Sequence, residues 1–372
     1  MIGGSHGEPH SSAANTLENR PGRAETIAIR AHAQNRPVAD DGASNDARLT
    51  HVLRVLSENP MVVVSGTKLA GELGASRSEI WRLVQHLRTL GVEIAGHPAT
   101  GYQLQAVPDL LLPAVLSPLV AGTMFSGKIQ HFFRIGSTNE AAMQAAHQGA
   151  PEGTVLVAEE QTAGRGRGGH SWHSAPSTGI YLSAILRPQL TPADAILLSL
   201  STGLAVAAAI EEITVLRPDL RWPNDLLLAT PEGERKFCGI LTEMNAEPTR
   251  VRYVIVGIGL NVNQESFPPE LATLATSLRV VTGRTWSRVA LAAALLQSLD
   301  RECRQLRERN SLLRRFEQVS SYARDRAVRV EEDGGYCGVT AGLDERGFLR
   351  VRTDTGVRTV LSGGVRPVEE ST

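Results

Sequence analysis

Residues 158–169 read Ala-Glu-Glu-Gln-Thr-Ala-Gly-Arg-Gly-Arg-Gly-Gly. Glycine at 164, 166, 168 and 169 removes the side chains that would hold a ligand off the backbone. Arg165 and Arg167 set guanidinium groups between those bare N–H donors, a composition that suits phosphate or carboxylate. The preceding Val155-Leu156-Val157-Ala158 is short, apolar and β-branched, so the loop hangs off a strand end. No Gly-Lys-Ser/Thr follows, and Gly-x-Gly-x-x-Gly with a helix behind it does not fit either. A flexible basic glycine-rich loop with no ligand is the plainer alternative.

Further positions carry polar chemistry. Lys236 stands just before a Gly-Ile-Leu strand, which would aim its ammonium into a cleft from rigid scaffold. The alternative is a solvated lysine at a hairpin end beside Arg235. Ser137-Thr138-Asn139-Glu140 is a capping box, and its short side chains could also face a ligand. His170 and His173 have a His-x-x-His spacing, but no third ligand accompanies them and a zinc site is not expected.

Five segments then follow in a fixed order: Gly136-Ser-Thr-Asn139, the arginine loop, Arg221-Trp-Pro-Asn-Asp225, Lys236-Phe-Cys-Gly-Ile-Leu-Thr-Glu243 and Gly257-Ile-Gly-Leu-Asn-Val-Asn263. Together they resemble biotin protein ligase. With the helix-turn-helix ahead of them, the match is to the bifunctional biotin ligase and biotin-operon repressor of bacteria, over about residues 48–370.

That resemblance implies a reaction. Joining a carboxylate to an amine needs activation, which ATP supplies by forming an acyl-adenylate and releasing pyrophosphate. Two anions must meet, so cations and N–H donors must surround them. The resemblance implies that Lys236 contacts the reacting carboxylate and phosphate, and that Arg167 retains the adenylate. It puts Ser137, Thr138, Asn139 and Gln161 around the biotin ring, with Arg165, Gly166, Arg167 and Lys236 also on biotin. The ring's ureido group has one acceptor oxygen and two N–H donors, and each left unpaired in a buried pocket costs about 1–3 kcal/mol. The implied ATP and adenylate side comprises Gly164, Arg165, Arg167, Trp172, Asn224, Asp225 and Asn261, with Asp225 near Mg²⁺. Trp172 could instead be core, and Trp222 is expected there. Arg221 stands where the family has lysine, 229–234 is a longer polar excursion, and Ser362-Gly363-Gly364 has glycine where the family often has an acid.

The elements that position these residues are α+β and multi-domain. Residues 1–46, rich in Ser, Ala, Asn, Gly and Asp, are expected to be a disordered tail. Residues 47–107 read as a winged helix-turn-helix. Leu49, Val52, Leu53 and Leu56 follow helical spacing; 67–73 is a helix stopped by Gly74; Ser76 and Glu79 cap a third that buries Ile80, Leu83, Val84 and Leu87. Strands at 91–94 and 101–104 follow. Ser76, Arg77, Ser78, Arg82, Gln85 and His86 lie on the polar side of the third helix, where DNA would be read. A protein-docking winged helix is the alternative. Residues 108–322 form a mixed-sheet α/β catalytic domain, with a long apolar helix opened by Thr191-Pro192 and a helical stretch over 287–319. Residues 323–372 alternate short strands and Gly/Asp turns, as in a small SH3-like β-barrel.

Bulk composition narrows the rest. Net charge is −1, so any DNA contact is a local patch rather than a whole-molecule field. The three cysteines are far apart and read as reduced thiols of a cytoplasmic protein. Residues 195–210 are uncharged but shorter than the roughly 20 a membrane span needs, so a buried helix is expected and no membrane partner. The implied partners are the biotin carboxyl carrier protein of acetyl-CoA carboxylase, operator DNA upstream of biotin genes, and a second copy of the chain. Competing readings are a lipoate or octanoyl ligase, a biotin-sensing repressor without catalysis, and a ligase whose winged helix lacks operator binding.

Overall fold

The computed structural model describes residues 39–59, 62–106, 108–332 and 334–368. The expected loose tail falls mostly on residues 1–38, outside that set. Its end needs correction: helix α1 runs Ala39–Glu58 and takes in residues 39–46. Asp46 ties that part down, because its carboxylate accepts from the Phe133 N–H at 3.0 Å.

Local signals place the next elements. Ser65 caps α2 (Gly66–Leu73) by accepting from Lys68 N, and Gly74 ends it at φ 58°. Ser76 caps α3 (Arg77–Thr89) through Glu79 N at 3.2 Å, and Ile80, Leu83, Val84 and Leu87 are all buried. Strands β1 (Ile94–His97) and β2 (Gly101–Leu104) form the wing; β1 starts three residues later than its spacing suggested. Leu49, Val52, Leu53 and Leu56 close this core, to which Leu110 and Phe133 from beyond the winged helix also contribute.

After α4 (Pro113–Leu119) come β3 (Ile129–Phe132), α5 (Thr138–His147), β4 (Val155–Ala158) and β5 (Gly179–Leu186). Helix α6 (Ile196–Thr214) is preceded by a short 3₁₀ turn at Pro192–Asp194, so Thr191 caps that turn rather than the long helix. Then follow β6 (Asp219–Arg221), β7 (Asp225–Thr230), β8 (Gly233–Ala246), β9 (Val251–Asn261) and α7 (Leu278–Thr282). The helical stretch after Ser287 is two helices, α8 (Arg288–Gln305) and α9 (Arg309–Val319). The sheet order is β3-β4-β5-β9-β8-β7-β6, parallel only between β3 and β4, hence mixed. Helix α5 covers one face; α6, α8 and α9 pack on the other. Pro192–Thr214 is long and apolar enough to cross a membrane, but most of it is buried in this core.

The last strands are β10 (Arg324–Val330), β11 (Tyr336–Leu343), β12 (Leu349–Thr353), β13 (Gly356–Val360) and β14 (Val365–Pro367). Their order, β13-β12-β11-β10-β14, is antiparallel. Among the described residues β13 and β14 are not paired with each other, so the C-terminal part is a small five-stranded antiparallel sheet without the closure of the expected barrel. Trp222 is core, as expected: it is buried and its Nε1 donates to Gly347 O at 3.0 Å, joining the two sheets.

Candidate functional site

The site begins with what the sheet omits. Gly257 and Gly259, two apart on β9, share one face. A Cβ at 257 would overlap the Asn139 amide, and one at 259 would lie 2.5 Å from the Trp172 indole. Gly239 on β8 sits opposite Gly259 and faces the same indole. The resulting cleft is lined by the start of α5, Gln161, the arginine loop, Trp172, Asn224, Lys236 and these glycines.

One end is neutral and dense in short polar groups. Ser137 caps α5 and also lines the cleft. Gln161 Oε1 accepts from Thr138 N at 2.8 Å and Thr138 Oγ1 at 3.1 Å; its Nε2 donates to Ser174 Oγ at 2.9 Å. Asn139 Oδ1 accepts from Ser183 Oγ at 2.6 Å, and Nδ2 donates to Glu243 Oε2 at 2.8 Å. Ser183 and Glu243 were not singled out from the sequence. A small polar serine in the buried, otherwise apolar and aromatic run Gly179–Leu186 was the available signal for Ser183. Trp172 Nε1 is buried with no hydrogen-bond partner among the described residues.

The other end is cationic. A register shift between Leu226 and Leu227 bulges β8 at Phe237 and sets the local direction of Lys236. Lys236 Nζ lies 2.5 Å from Asp225 Oδ1 and 5.4 Å from the Trp172 ring centre. Arg221 Nη2 donates to Asp225 Oδ2 at 2.7 Å. Burial would raise the Asp225 carboxyl, but Lys236 and Arg221 hold it below the ordinary carboxylate range. Arg167 Nη2 donates to Ser362 O of the C-terminal sheet at 2.7 Å, and burial lowers the pKa of its guanidinium. Three cations, Lys236, Arg221 and Arg167, stand against two carboxylates, Asp225 and the Glu332 that also acts on Arg167, so this end keeps an excess positive charge.

Several expected site residues stand elsewhere or do other work. Arg165 lines the cleft but is largely exposed, and it pairs with Glu140 at 3.4 Å. Asn224 lines the cleft but spends its Nδ2 on Ile240 O at 3.0 Å. Gly164 is buried behind the cleft, where a side chain would strike Trp172 O and Ser174. Asn261 is buried at the end of β9, where it donates to Thr276 O and accepts from Gln264. Asp225 has a cation against each of its oxygens, and among the described residues no three His, Cys, Asp or Glu side chains converge. The residues present do not make a magnesium site of their own.

A second candidate surface lies on α3. Arg77, Ser78 and Arg82 are exposed, and Gln85 and His86 half-buried. Ser76 serves as the cap. Sequence reading passed over Trp81, which is 54% exposed on the same helix face.

Residues 132–261 match the family described as Biotin/lipoate A/B protein ligase, and residues 48–103 match an HTH domain. The chain is similar to Bifunctional ligase/repressor BirA of Bacillus subtilis (strain 168): 33% identical over 323 residues, covering 84% of this chain and 97% of that one. It is 29% identical over 304 residues to the protein of that name from Escherichia coli (strain K12), covering 81% and 92%. Among solved structures, "Biotin protein ligase from Aquifex aeolicus in complex with biotin and ATP" superposes with a TM-score of 0.56 at 30% identity, covering 65% of this chain and all of that one.

Proposed function

Since the chain belongs to the biotin/lipoate A/B protein ligase family, in its bifunctional ligase/repressor form, we propose how its cleft and its winged helix divide the work. The enzyme is a biotin ligase. It activates biotin with ATP as biotinyl-5′-AMP and passes the biotinyl group to a lysine of a biotin carboxyl carrier protein. The observation that carries this reading is one cleft with a neutral amide-and-hydroxyl end and a cationic end. The ureido ring takes the neutral end: Gln161, Thr138 and Ser183 exchange their mutual hydrogen bonds for its oxygen and N–H groups. That places the biotin carboxylate toward Lys236 and Arg167. A carboxylate oxygen attacks the α-phosphorus, the α–β bridging bond breaks, and pyrophosphate leaves. In the second half, the target amine attacks the acyl carbon and AMP leaves. Lys236 and Arg167 stabilise the charge that builds at the acyl-phosphate centre. Any magnesium brought with ATP would be held mainly by the phosphates and would neutralise part of their charge.

Biotin-dependent exchange of pyrophosphate into ATP, followed by labelling of a carrier protein, tests the ligase roles. Exchange driven by lipoate or octanoate but not biotin would move the chain to the sister activity. Gly259→Ala is expected to weaken biotin binding by about tenfold or more, because the Trp172 ring must shift or the site be overpacked. Unaltered affinity by calorimetry in the folded variant would remove the indole from the site.

For the winged helix, we place Arg77, Ser78, Trp81, Arg82 and Gln85 against operator DNA, with two copies of the chain on a two-fold site. One module makes few contacts, so dimer formation driven by biotin and ATP is what gives useful affinity. Carrier protein lacking biotin reverses it by consuming adenylate. Arg77→Ala or Arg82→Ala is expected to weaken binding to DNA upstream of biotin genes, by about 1–3 kcal/mol each. Pyrophosphate exchange should be unchanged. Gel shift and sedimentation with and without biotin and ATP decide it; no DNA binding in any condition would leave a ligase without the repressor mechanism. The C-terminal sheet is read as an SH3-like module, and the protein as cytoplasmic.

A further inference from the structure

The loop that carries Arg167 is closed by backbone bonds such as Gly166 N to His170 O at 2.7 Å, but among the described residues nothing in that loop accepts from the Arg167 guanidinium. The two residues after it, Gly168 and Gly169, have φ of 68° and 82°, and neither has a side chain to anchor the turn. What does hold the guanidinium comes from the far end of the chain: Nη2 donates to Ser362 O at 2.7 Å. That carbonyl belongs to the turn between β13 and β14, and Glu332, after β10, fixes the turn. The Glu332 carboxylate accepts from Leu361 N at 3.2 Å, Ser362 N at 2.9 Å and Ser362 Oγ at 3.0 Å. Gly363 packs so tightly here that a Cβ would lie 2.9 Å from that of Glu332, and Glu331 N donates to Gly364 O at 2.8 Å.

We propose that Glu332 is a positioning residue for Arg167, acting through the turn at 361–364, and that this C-terminal turn is the wall that sets how long the cleft keeps its adenylate. Glu332 touches no reacting atom. Its charge orders two N–H groups and one hydroxyl, their order fixes one carbonyl, and that carbonyl holds Arg167 facing the cleft before ligand arrives. Preorganisation of this kind shows in retention of the bound intermediate more than in capture of biotin, whose ring binds at the other end of the cleft.

The assignment rests on the adenylate-forming reading above, and the test separates the two. In the full chain, adenylate is formed from biotin and ATP, and its release is timed after a chase with excess unlabelled biotin. Glu332→Ala is expected to release it about tenfold faster, with Glu332→Gln between that and the unsubstituted protein. Biotin affinity without ATP should stay within about twofold and the thermal midpoint nearly unchanged. In an Arg167→Gly background, Glu332→Ala should add little, since both act on one contact. Unchanged release in the folded Glu332→Ala chain, full additivity with Arg167→Gly, or an equal loss of biotin affinity overturns the assignment. If the unsubstituted chain forms no adenylate, the functional reading falls first and the assignment with it.

Discussion

Lys236→Ala is expected to slow biotin-dependent pyrophosphate exchange by about 10²–10³-fold, the usual worth of a positioned charge at a centre where charge develops. The fold should survive. Asp225, which loses the ammonium at 2.5 Å, keeps Arg221 at 2.7 Å, so no buried carboxylate is left without a cation. Biotin affinity without ATP should fall far less than exchange does, because only the carboxylate end of biotin faces Lys236 while the ring contacts lie with Thr138, Asn139 and Gln161. A mutant that exchanges at near the normal rate removes Lys236 from the catalytic set. One that loses biotin affinity as much as it loses exchange makes it a general binding residue.

Arg288→Met is expected to be the most damaging single change to stability. Glu159 is fully buried and accepts from Arg288 Nη1 at 2.7 Å, Leu111 N at 2.8 Å and His131 Nε2 at 3.1 Å. Arg288 also holds the Gly179 and Asp109 carbonyls. Burial alone would raise the Glu159 carboxyl, but Arg288 and His131 bring it down to about 2. Removing the guanidinium strands that charge, at a cost of about 3–5 kcal/mol. Urea unfolding measures it, and a loss under about 1 kcal/mol would show that the pair is not a net stabiliser here. Glu159→Gln combined with Arg288→Met should recover much of the loss. The pH dependence has a definite sign. A carboxyl held at about 2 in the fold, against 4.5 free, contributes stability that is complete above about pH 4.5 and is lost as pH falls toward 2. In Arg288→Met that acid sensitivity should shrink or reverse, because the lowered value depends on the arginine. Glu159 is two residues from Gln161, so the same change should also disturb the ring-binding end of the cleft.

Much of this was legible from the chain. Helix starts at Ser65, Ser76, Ser137 and Ser287 rest on a hydroxyl and a backbone N–H three residues on, a contact that needs no distant partner. The buried side of α3 followed from spacing alone, and the Gly-Arg loop did line the cleft. Resemblance gathered Thr138, Gln161, Arg167, Trp172 and Lys236, and the fold brings all five to one cleft. Tertiary structure decided the rest. Ser183 and Glu243 became partners of Asn139 because sheet order lays β5 and β8 under the start of α5, some 40 and 100 residues along the chain. Asn261 met Thr276, and Asp225 met Lys236, through strand neighbours and not through local sequence. Arg167 found its support 195 residues away, in a sheet whose lack of closure the strand pattern could not reveal. Caps and periodicity act over three or four residues and so are written locally. Contacts across a sheet depend on which strands become neighbours, which is settled only when the whole core is buried.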